Sequence, residues 1–269
     1  MRFITGFGIL FSLFACGVQA QTPVIRAGDG IQNGASNTLG PLAPGSLVSI
    51  YGTGLAATTA SASTYPLSNS MANVSVSFAG IPAPLYFVSS GQINVQVPWN
   101  SPGGDVPVVV NNNNTPSAAS TATIVPAAPG FFTFFDSIAN ILRPVVLANA
   151  DGAFSQPLNI IPGLKTRPAK IGEALLMFAT GLGGVNAIPP DGNVPPLSGA
   201  NTNVTPVVTI GGVPAQVIFS GLTFVTVYQV NVIVQPGTPT GDAVPVKISV
   251  NGVDSLNPST GTLTIAVSN

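Results

Sequence analysis

The sequence contains no histidine, a single cysteine and very few charged residues. Without histidine, neither a Ser–His–Asp nor a Cys–His nucleophile system can form, and the commonest metal ligand is missing. Cys16 has no partner for an internal disulfide. The seven basic residues are scattered along the chain, so they cannot form the positive footprint that nucleic acids require. We therefore exclude nucleic acids as partners.

Glycine, proline and β-branched residues are abundant, whereas charged residues are rare. Charged residues make up 6% of the chain, against roughly 25% in an ordinary soluble domain. Thirty Gly and 26 Pro, together with many Val, Thr, Ser and Asn, are typical of short strands joined by turns. The composition predicts an all-β protein, with at most one helical turn over residues 136–142.

The first 20 residues have the layout of a secretory signal peptide. Arg2 precedes an apolar run that is too short to span a membrane, and Val18-Gln19-Ala20 fits cleavage after Ala20. Lipidation of Cys16 is a less favoured alternative, because Phe14 is a poor fit to the small residue expected there. No later segment is apolar for the roughly 20 residues that a spanning helix needs. We expect a secreted or cell-surface protein without a transmembrane segment after cleavage.

One strand pattern occurs twice, first as Gln92-Ile93-Asn94-Val95-Gln96-Val97-Pro98 and again as Gln229-Val230-Asn231-Val232-Ile233-Val234-Gln235-Pro236. Apolar and amide side chains alternate, which predicts a strand with one buried face and one polar face. The polar face has two interpretations. It is either a fold determinant whose amides hold a neighbouring loop, or an amide-lined ligand surface.

The motifs around this strand also repeat in the same order. Thr53-Gly54-Leu55 returns as Thr180-Gly181-Leu182, and Gly80-Ile81-Pro82-Ala83 returns as Gly212-Val213-Pro214-Ala215. Two insertions in loops of the second copy, near residues 186–203 and 221–228, account for the changing offset. We therefore predict an internal duplication.

The predicted architecture is two tandem immunoglobulin-like β-sandwiches joined by a bridge, because about seven short strands occur in each block at turn spacings typical of that fold. Within the bridge, Asp151-Gly152 indicates a β-hairpin. The predicted boundaries are a signal peptide at 1–20, an N-terminal lead at 21–40, sandwich 1 at 41–126, the bridge at 127–166 and sandwich 2 at 167–269.

These motifs resemble a known family when taken together. The segments that carry the resemblance are Leu42 to Gly52, Gly80 to Pro84, Gly91 to Trp99, Ala128 to Phe131, Ala179 to Gly183, Ile210 to Ala215 and Tyr228 to Val232. They resemble the Solibacter-type uncharacterised C-terminal domain family of secreted acidobacterial proteins. The resemblance implies an extracellular location and a relation to immunoglobulin-like IPT/TIG modules, and it implies no catalytic residues.

The remaining carboxylates do not form a recognisable site. Asp105 and Asp242 occupy equivalent turns in separate repeats, so they would not act as a catalytic pair. Asp191-Gly192-Asn193 resembles part of a calcium loop but lacks the further acidic ligands. The sequence predicts no catalytic residue, no metal and no cofactor.

The function predicted from these features is that of a non-enzymatic secreted protein for adhesion or structural interaction. Its partner would be an unidentified protein or glycan of the cell surface. The alternative is a carbohydrate-binding protein in which Trp99 stacks on a sugar and the amides of Gln92, Asn94, Gln229 and Asn231 bind it. Trp99 has a second interpretation, as a plug at the end of a sandwich core or in the contact between domains. A hydrolase of unfamiliar type is the third possibility.

Overall fold

The computed structural model describes residues 22–255 and 262–269. The predicted signal peptide and Cys16 lie outside these residues. The described chain forms strands and turns without a helix, which confirms the all-β prediction. It contains no helix that could cross a membrane.

The described strands fall into three groups along the chain. The first group is β1 Val24–Ile25, β2 Ile31–Asn33, β3 Leu47–Thr53, β4 Ala60–Ser61, β5 Val74–Phe78, β6 Ile81–Pro82, β7 Leu85–Val88, β8 Gln92–Gln96, β9 Gly104–Asn112, β10 Thr115–Pro116 and β11 Ser120–Ile124. The second is β12 Gly130–Phe131, β13 Thr133–Asp136, β14 Ile141–Pro144, β15 Val146–Ala148, β16 Phe154–Ser155 and β17 Thr166–Arg167. The third is β18 Ala169–Lys170, β19 Ala174–Thr180, β20 Val207–Ile210, β21 Val213–Phe224, β22 Val227–Ile233, β23 Gly241–Val250, β24 Val253–Asp254 and β25 Leu263–Ser268.

The first group forms two sheets that face each other across one apolar core. One sheet has the order β1-β3-β8-β7-β4, with β2 also paired to β3, and the other has the order β10-β9-β5-β6, with β11 on β9. Alternate residues of the strands point inward, as the fully buried Val48, Ile50, Ile93 and Val95 illustrate. The predicted N-terminal lead contributes β1 and β2 to this sandwich.

The third group forms a second sandwich whose two layers are joined by one long strand. β21 pairs with β20 in one layer and then with β22 in the other. The corresponding segment of the first sandwich is broken into β6 and β7 at Ala83 and Pro84. Pro84 has no N–H to donate to a ladder, whereas Gln216 has one. This difference accounts for the continuous strand in the second sandwich.

The same strand pairings occur in both sandwiches. β3 pairs with β8 as β19 pairs with β22, and β5 pairs with β9 as β20 pairs with β23. Two serines make equivalent bonds: the Val110 N–H donates to Ser117 Oγ at 3.1 Å, and the Ile248 N–H donates to Ser255 Oγ at 3.0 Å. These pairings agree with the predicted internal duplication, which itself stays a prediction.

The bridge is built into the second sandwich. β12 and β15 pair with β19, and β15 pairs with β16 across the Asp151-Gly152 turn, as the sequence predicts. Residues 136–142 form no helical turn; they close the β13–β14 hairpin. Asp136 accepts backbone N–H bonds from Ile138 and Ala139, and these bonds hold the chain in the hairpin turn.

A buried ion pair lies inside the bridge. Arg143 Nε donates to Asp136 Oδ2 at 2.7 Å, and Arg143 Nη1 donates to Gln156 Oε1 at 2.8 Å. All three side chains are buried. Backbone N–H bonds, chiefly that of Ala139, and the bond from Arg143 hold the pKa of Asp136 below its usual value. Both charged groups of the pair are hydrogen-bonded, which offsets part of the desolvation cost of burying them.

Candidate functional site

The amides singled out in the sequence lie on the outer faces of their sheets. Gln92 Nε2 donates to Asn94 Oδ1 at 2.8 Å, and Ser49 Oγ donates to the same oxygen at 3.2 Å. In the second sandwich Gln229 Nε2 donates to Asn231 Oδ1, also at 2.8 Å. Each Gln–Asn pair therefore bonds along its own strand. Both amide pairs are half-buried.

Aromatic side chains flank these amides on the same outer faces. In the first sandwich, Tyr51 is the cross-strand partner of Gln92, and Phe87 pairs with Asn94. In the second, Phe178 is paired with Gln229, and Asn231 has Phe219 as its partner. Directly opposite residues have Cβ atoms about 5 Å apart. The rings therefore cover part of the amide surface, and the four amides are brought together in two pairs, one on each sandwich.

Gln96, the third amide of the first strand, has a different environment. It is 1% exposed, and its Oε1 accepts the Gly192 N–H at 2.7 Å. Gly192 belongs to the segment that is inserted in the second sandwich, so this bond connects the two halves. The alternation of the strand gave no signal for it, because Gln92, Asn94 and Gln96 all fall on the polar face.

Trp99 lies at the junction between the two sandwiches. Its ring covers Gly45, where an added Cβ would lie 2.3 Å from the indole, and it also packs against the core of the second sandwich. Its backbone N–H donates to Asp191 Oδ1 at 2.8 Å. Within the described residues, the buried indole Nε1 has no hydrogen-bond partner. These contacts agree with the interpretation of Trp99 as part of the contact between domains.

Asp191 is therefore used in the junction. Burial raises its pKa, and the Trp99 N–H only partly offsets that effect. Within the described part of the chain, no group of three acidic, cysteine or histidine side chains is placed to hold a metal ion. In this loop the Leu67 N–H donates to the Gly192 carbonyl at 2.8 Å, which adds a backbone bond between the halves.

A second set of junction contacts involves the tip of the β21–β22 hairpin. The Tyr86 hydroxyl donates to the Val225 carbonyl at 2.5 Å. Thr180 Oγ1 accepts the Leu47 N–H at 2.9 Å and donates to the Thr226 carbonyl at 2.7 Å. The hairpin tip coincides with the second predicted insertion. Sequence reasoning placed a loop there, but the residues extend two paired strands.

The hairpin tip also presents one member of an exposed aromatic pair. Phe224, at the end of β21, packs edge-to-face against Tyr65 of the first half, with ring centroids 4.8 Å apart. Tyr65 is 44% exposed and Phe224 40% exposed. Sequence reasoning did not identify either residue, since they are 159 positions apart and share no motif.

A protein-family model matches the first half of the chain. Residues 36–124 match the model described as "IPT/TIG domain". The match covers less than half of the chain and coincides with the first sandwich. It confirms the predicted relation to immunoglobulin-like IPT/TIG modules for this part, while the finer resemblance to the Solibacter-type family stays a prediction.

Solved structures with some similarity are larger than this chain. SGBP-B of the Bacteroides ovatus mixed-linkage glucan utilization locus, solved with a mixed-linkage heptasaccharide, is 13% identical, with a TM-score of 0.38 over 93% of this chain and 47% of that one. SGBP-B from a complex xyloglucan utilization locus in Bacteroides uniformis is 11% identical, with a TM-score of 0.27 over 91% and 49%. This chain spans less than half the length of either. No curated protein matches the sequence.

Proposed function

We propose that the protein is a secreted, non-enzymatic interaction protein that binds a partner outside the cell through two rigidly joined sandwiches. The observation that carries this proposal is the junction. Gln96, Trp99 and Thr180 all make hydrogen bonds that cross it. Domains that share only a small interface usually move relative to each other. Directional hydrogen bonds at a buried or partly buried contact favour one arrangement instead.

A fixed arrangement suits an adhesive or structural role. A rigid pair of sandwiches presents both outer faces and the junction in a constant geometry, so binding a partner does not require the two domains to be ordered relative to each other. The sequence supports the non-enzymatic part of the proposal, because it lacks histidine throughout and has only 15 ionisable Lys, Arg, Asp and Glu residues. The signal-like residues 1–20 support secretion.

The proposal can be tested with the mature protein, residues 21–269, immobilised on a resin. We expect it to retain a component of the envelope or secreted material of its own cells, and a heat-unfolded sample to retain none of it. Ester, peptide and glycoside substrates incubated with the same protein should show no turnover. Retention by the unfolded control, or turnover of any substrate class, would contradict the proposal.

Carbohydrate binding is the second candidate function. Gln92, Asn94, Gln229 and Asn231 remain partly accessible, but their mutual bonds and the adjacent rings leave them less free to bind sugar hydroxyls. Trp99 is engaged in the junction. The observation that favours this candidate is the exposed pair of Tyr65 and Phe224.

A further inference from the structure

The exposed aromatic pair is notable because its two rings pack against each other at the surface and not in a core. Tyr65 comes from the segment between β4 and β5, and Phe224 comes from the tip of the β21–β22 hairpin. Their ring planes are inclined at 76°. The two rings thus form an open corner to which each half of the molecule contributes one wall.

The chain next to each ring is held by hydrogen bonds. Directly after Phe224, the Val225 carbonyl accepts the Tyr86 hydroxyl, and Thr226 is 1% exposed. Close to Tyr65, the buried Leu67 is bonded through its backbone to Gly192. A ligand that enters the corner would therefore find the rings already in position, so little conformational entropy would be lost on binding.

The two chain segments that carry the rings are polar but uncharged. Residues 56–104 and 192–241 contain no Lys, Arg, Asp or Glu. Ser63, Thr64 and Thr223 are exposed near the two rings in the chain. An ionic ligand would find no counter-charge on these segments. A neutral ligand with hydroxyl groups and an apolar face would find both hydrogen-bonding groups and aromatic surface.

The exposed area of the two rings is the size of a small-ligand contact. Aromatic side chains bury roughly 150–250 Å² each when fully covered. At 44% and 40% exposure, the two rings together offer on the order of 150 Å². A stable protein interface buries about 800 Å² on each partner. The available aromatic surface therefore corresponds to one or two sugar rings.

We propose that Tyr65 and Phe224 form a stacking site for a neutral glycan. The carbon-bound hydrogens of a pyranose ring would pack on one aromatic face while the second ring bounds the sugar laterally. This inference rests on the proposed function as an extracellular interaction protein, and it names the chemical class of the partner. It also assigns the site to residues other than Trp99.

The test uses the mature protein in native affinity gels that contain soluble neutral polysaccharides, namely xylan, pullulan or hydroxyethylcellulose, with alginate as the anionic comparison. We expect retardation by at least one neutral polymer and none by alginate. Tyr65→Ala and Phe224→Ala should each weaken binding at least tenfold. Tyr65→Phe should preserve it, because the aromatic face remains.

The matched control is Phe135→Ala, which removes another exposed aromatic ring, 59% exposed, from the bridge hairpin. It should bind like the wild type. Binding that survives the double variant Tyr65→Ala/Phe224→Ala, or a wild type that no neutral polymer retards, would overturn the inference. If the double variant still captures envelope material on the resin, the proposed function stands and only the glycan site fails.

Discussion

At the scale of single residues, the close contact between Gly45 and the Trp99 ring predicts that a side chain at position 45 destabilises the protein. Gly45 has a φ of +76°, and an added Cβ would lie 2.3 Å from the indole ring. Gly45→Ala should destabilise the protein by about 3 kcal/mol, because the left-handed conformation disfavours a Cβ and the ring must move. Denaturant unfolding of the purified variant measures this loss.

Gly80→Ala is the control for this substitution. Gly80 has a φ of +80°, but its added Cβ would meet nothing within 4 Å. Gly80→Ala should therefore lose only the stability that the left-handed backbone conformation costs a residue with a Cβ, about 1–2 kcal/mol. Equal losses for the two variants would mean that the Trp99 ring does not restrict the space above Gly45.

The second prediction concerns Asp191 and the dependence of folding stability on pH. Burial raises the pKa of this carboxyl in the folded state, so its charged form opposes folding once the pH is above that raised value. Asp191→Asn keeps an oxygen for the Trp99 N–H and removes the charge. The variant should be more stable than the wild type at pH 7, and the difference should shrink as the pH falls below the folded pKa.

Asp254→Asn should show the opposite sign. The bond from Lys247 lowers the pKa of Asp254, so its charge stabilises the fold above the ordinary value near 3.9, and the contribution disappears as the pH falls through the lowered pKa. At pH 7 the Asp254→Asn variant should lose little stability, because the Lys247–Asp254 ion pair is exposed. Thermal unfolding between pH 3 and 7 would compare both variants with the wild type. A less stable Asp191→Asn protein at pH 7 would contradict the assigned cause.

Residue environments were the part of the site that sequence could predict least. The alternation in Gln92–Gln96 gives the correct face for all three amides, but only the inserted loop of the second half decides that Gln96 is buried. Tyr65 and Phe224 likewise meet only in the folded chain. Such contacts depend on how two distant segments dock, and local patterns carry no information on that.

At the scale of elements, sequence patterns predicted the strands well. The strand predicted from Gln92 to Pro98 is observed as Gln92–Gln96, and the repeat predicted from Gln229 to Pro236 is observed as Val227–Ile233. Period-2 burial produces this success, since each strand has one face on a core. The tip of the β21–β22 hairpin, residues 221–228, was predicted as a loop, because the changed offset between the repeated motifs was assigned to a loop insertion.

Thr180 links this hairpin to the first sandwich and gives the third prediction. Thr180→Val should destabilise the protein by about 2–3 kcal/mol, because it removes two hydrogen bonds and leaves the Leu47 N–H and the Thr226 carbonyl without their partner. Thr180→Ser keeps the hydroxyl and should lose less than half as much. Guanidinium unfolding of both variants gives the comparison, and equal losses of stability would contradict a dominant contribution from the hydroxyl.

At the scale of the whole molecule, the junction predicts cooperative unfolding. The Trp99 ring packs on the second core, and bonds from Gln96 and Thr180 cross between the halves. The mature protein should therefore unfold in one calorimetric transition, with equal calorimetric and van't Hoff enthalpies. The double variant Gln96→Ala/Thr180→Val should separate the transition into two. Two transitions already present in the wild type would contradict a rigid junction.

Two segments of the second sandwich reach across to the first, namely the residues around Asp191 and Gly192 and the extended tip of the β21–β22 hairpin. Thr180 of β19 adds a further link, because it accepts the Leu47 N–H. The sandwiches are therefore not interchangeable units. In a chimera made of two first halves, the two domains would move independently. A second half placed behind a different module could not dock unless that module carried a Trp, a Gln and a Tyr at the matching positions. The order of the two halves is therefore encoded on both sides, by the two second-half segments and by the Trp, Gln and Tyr that receive them.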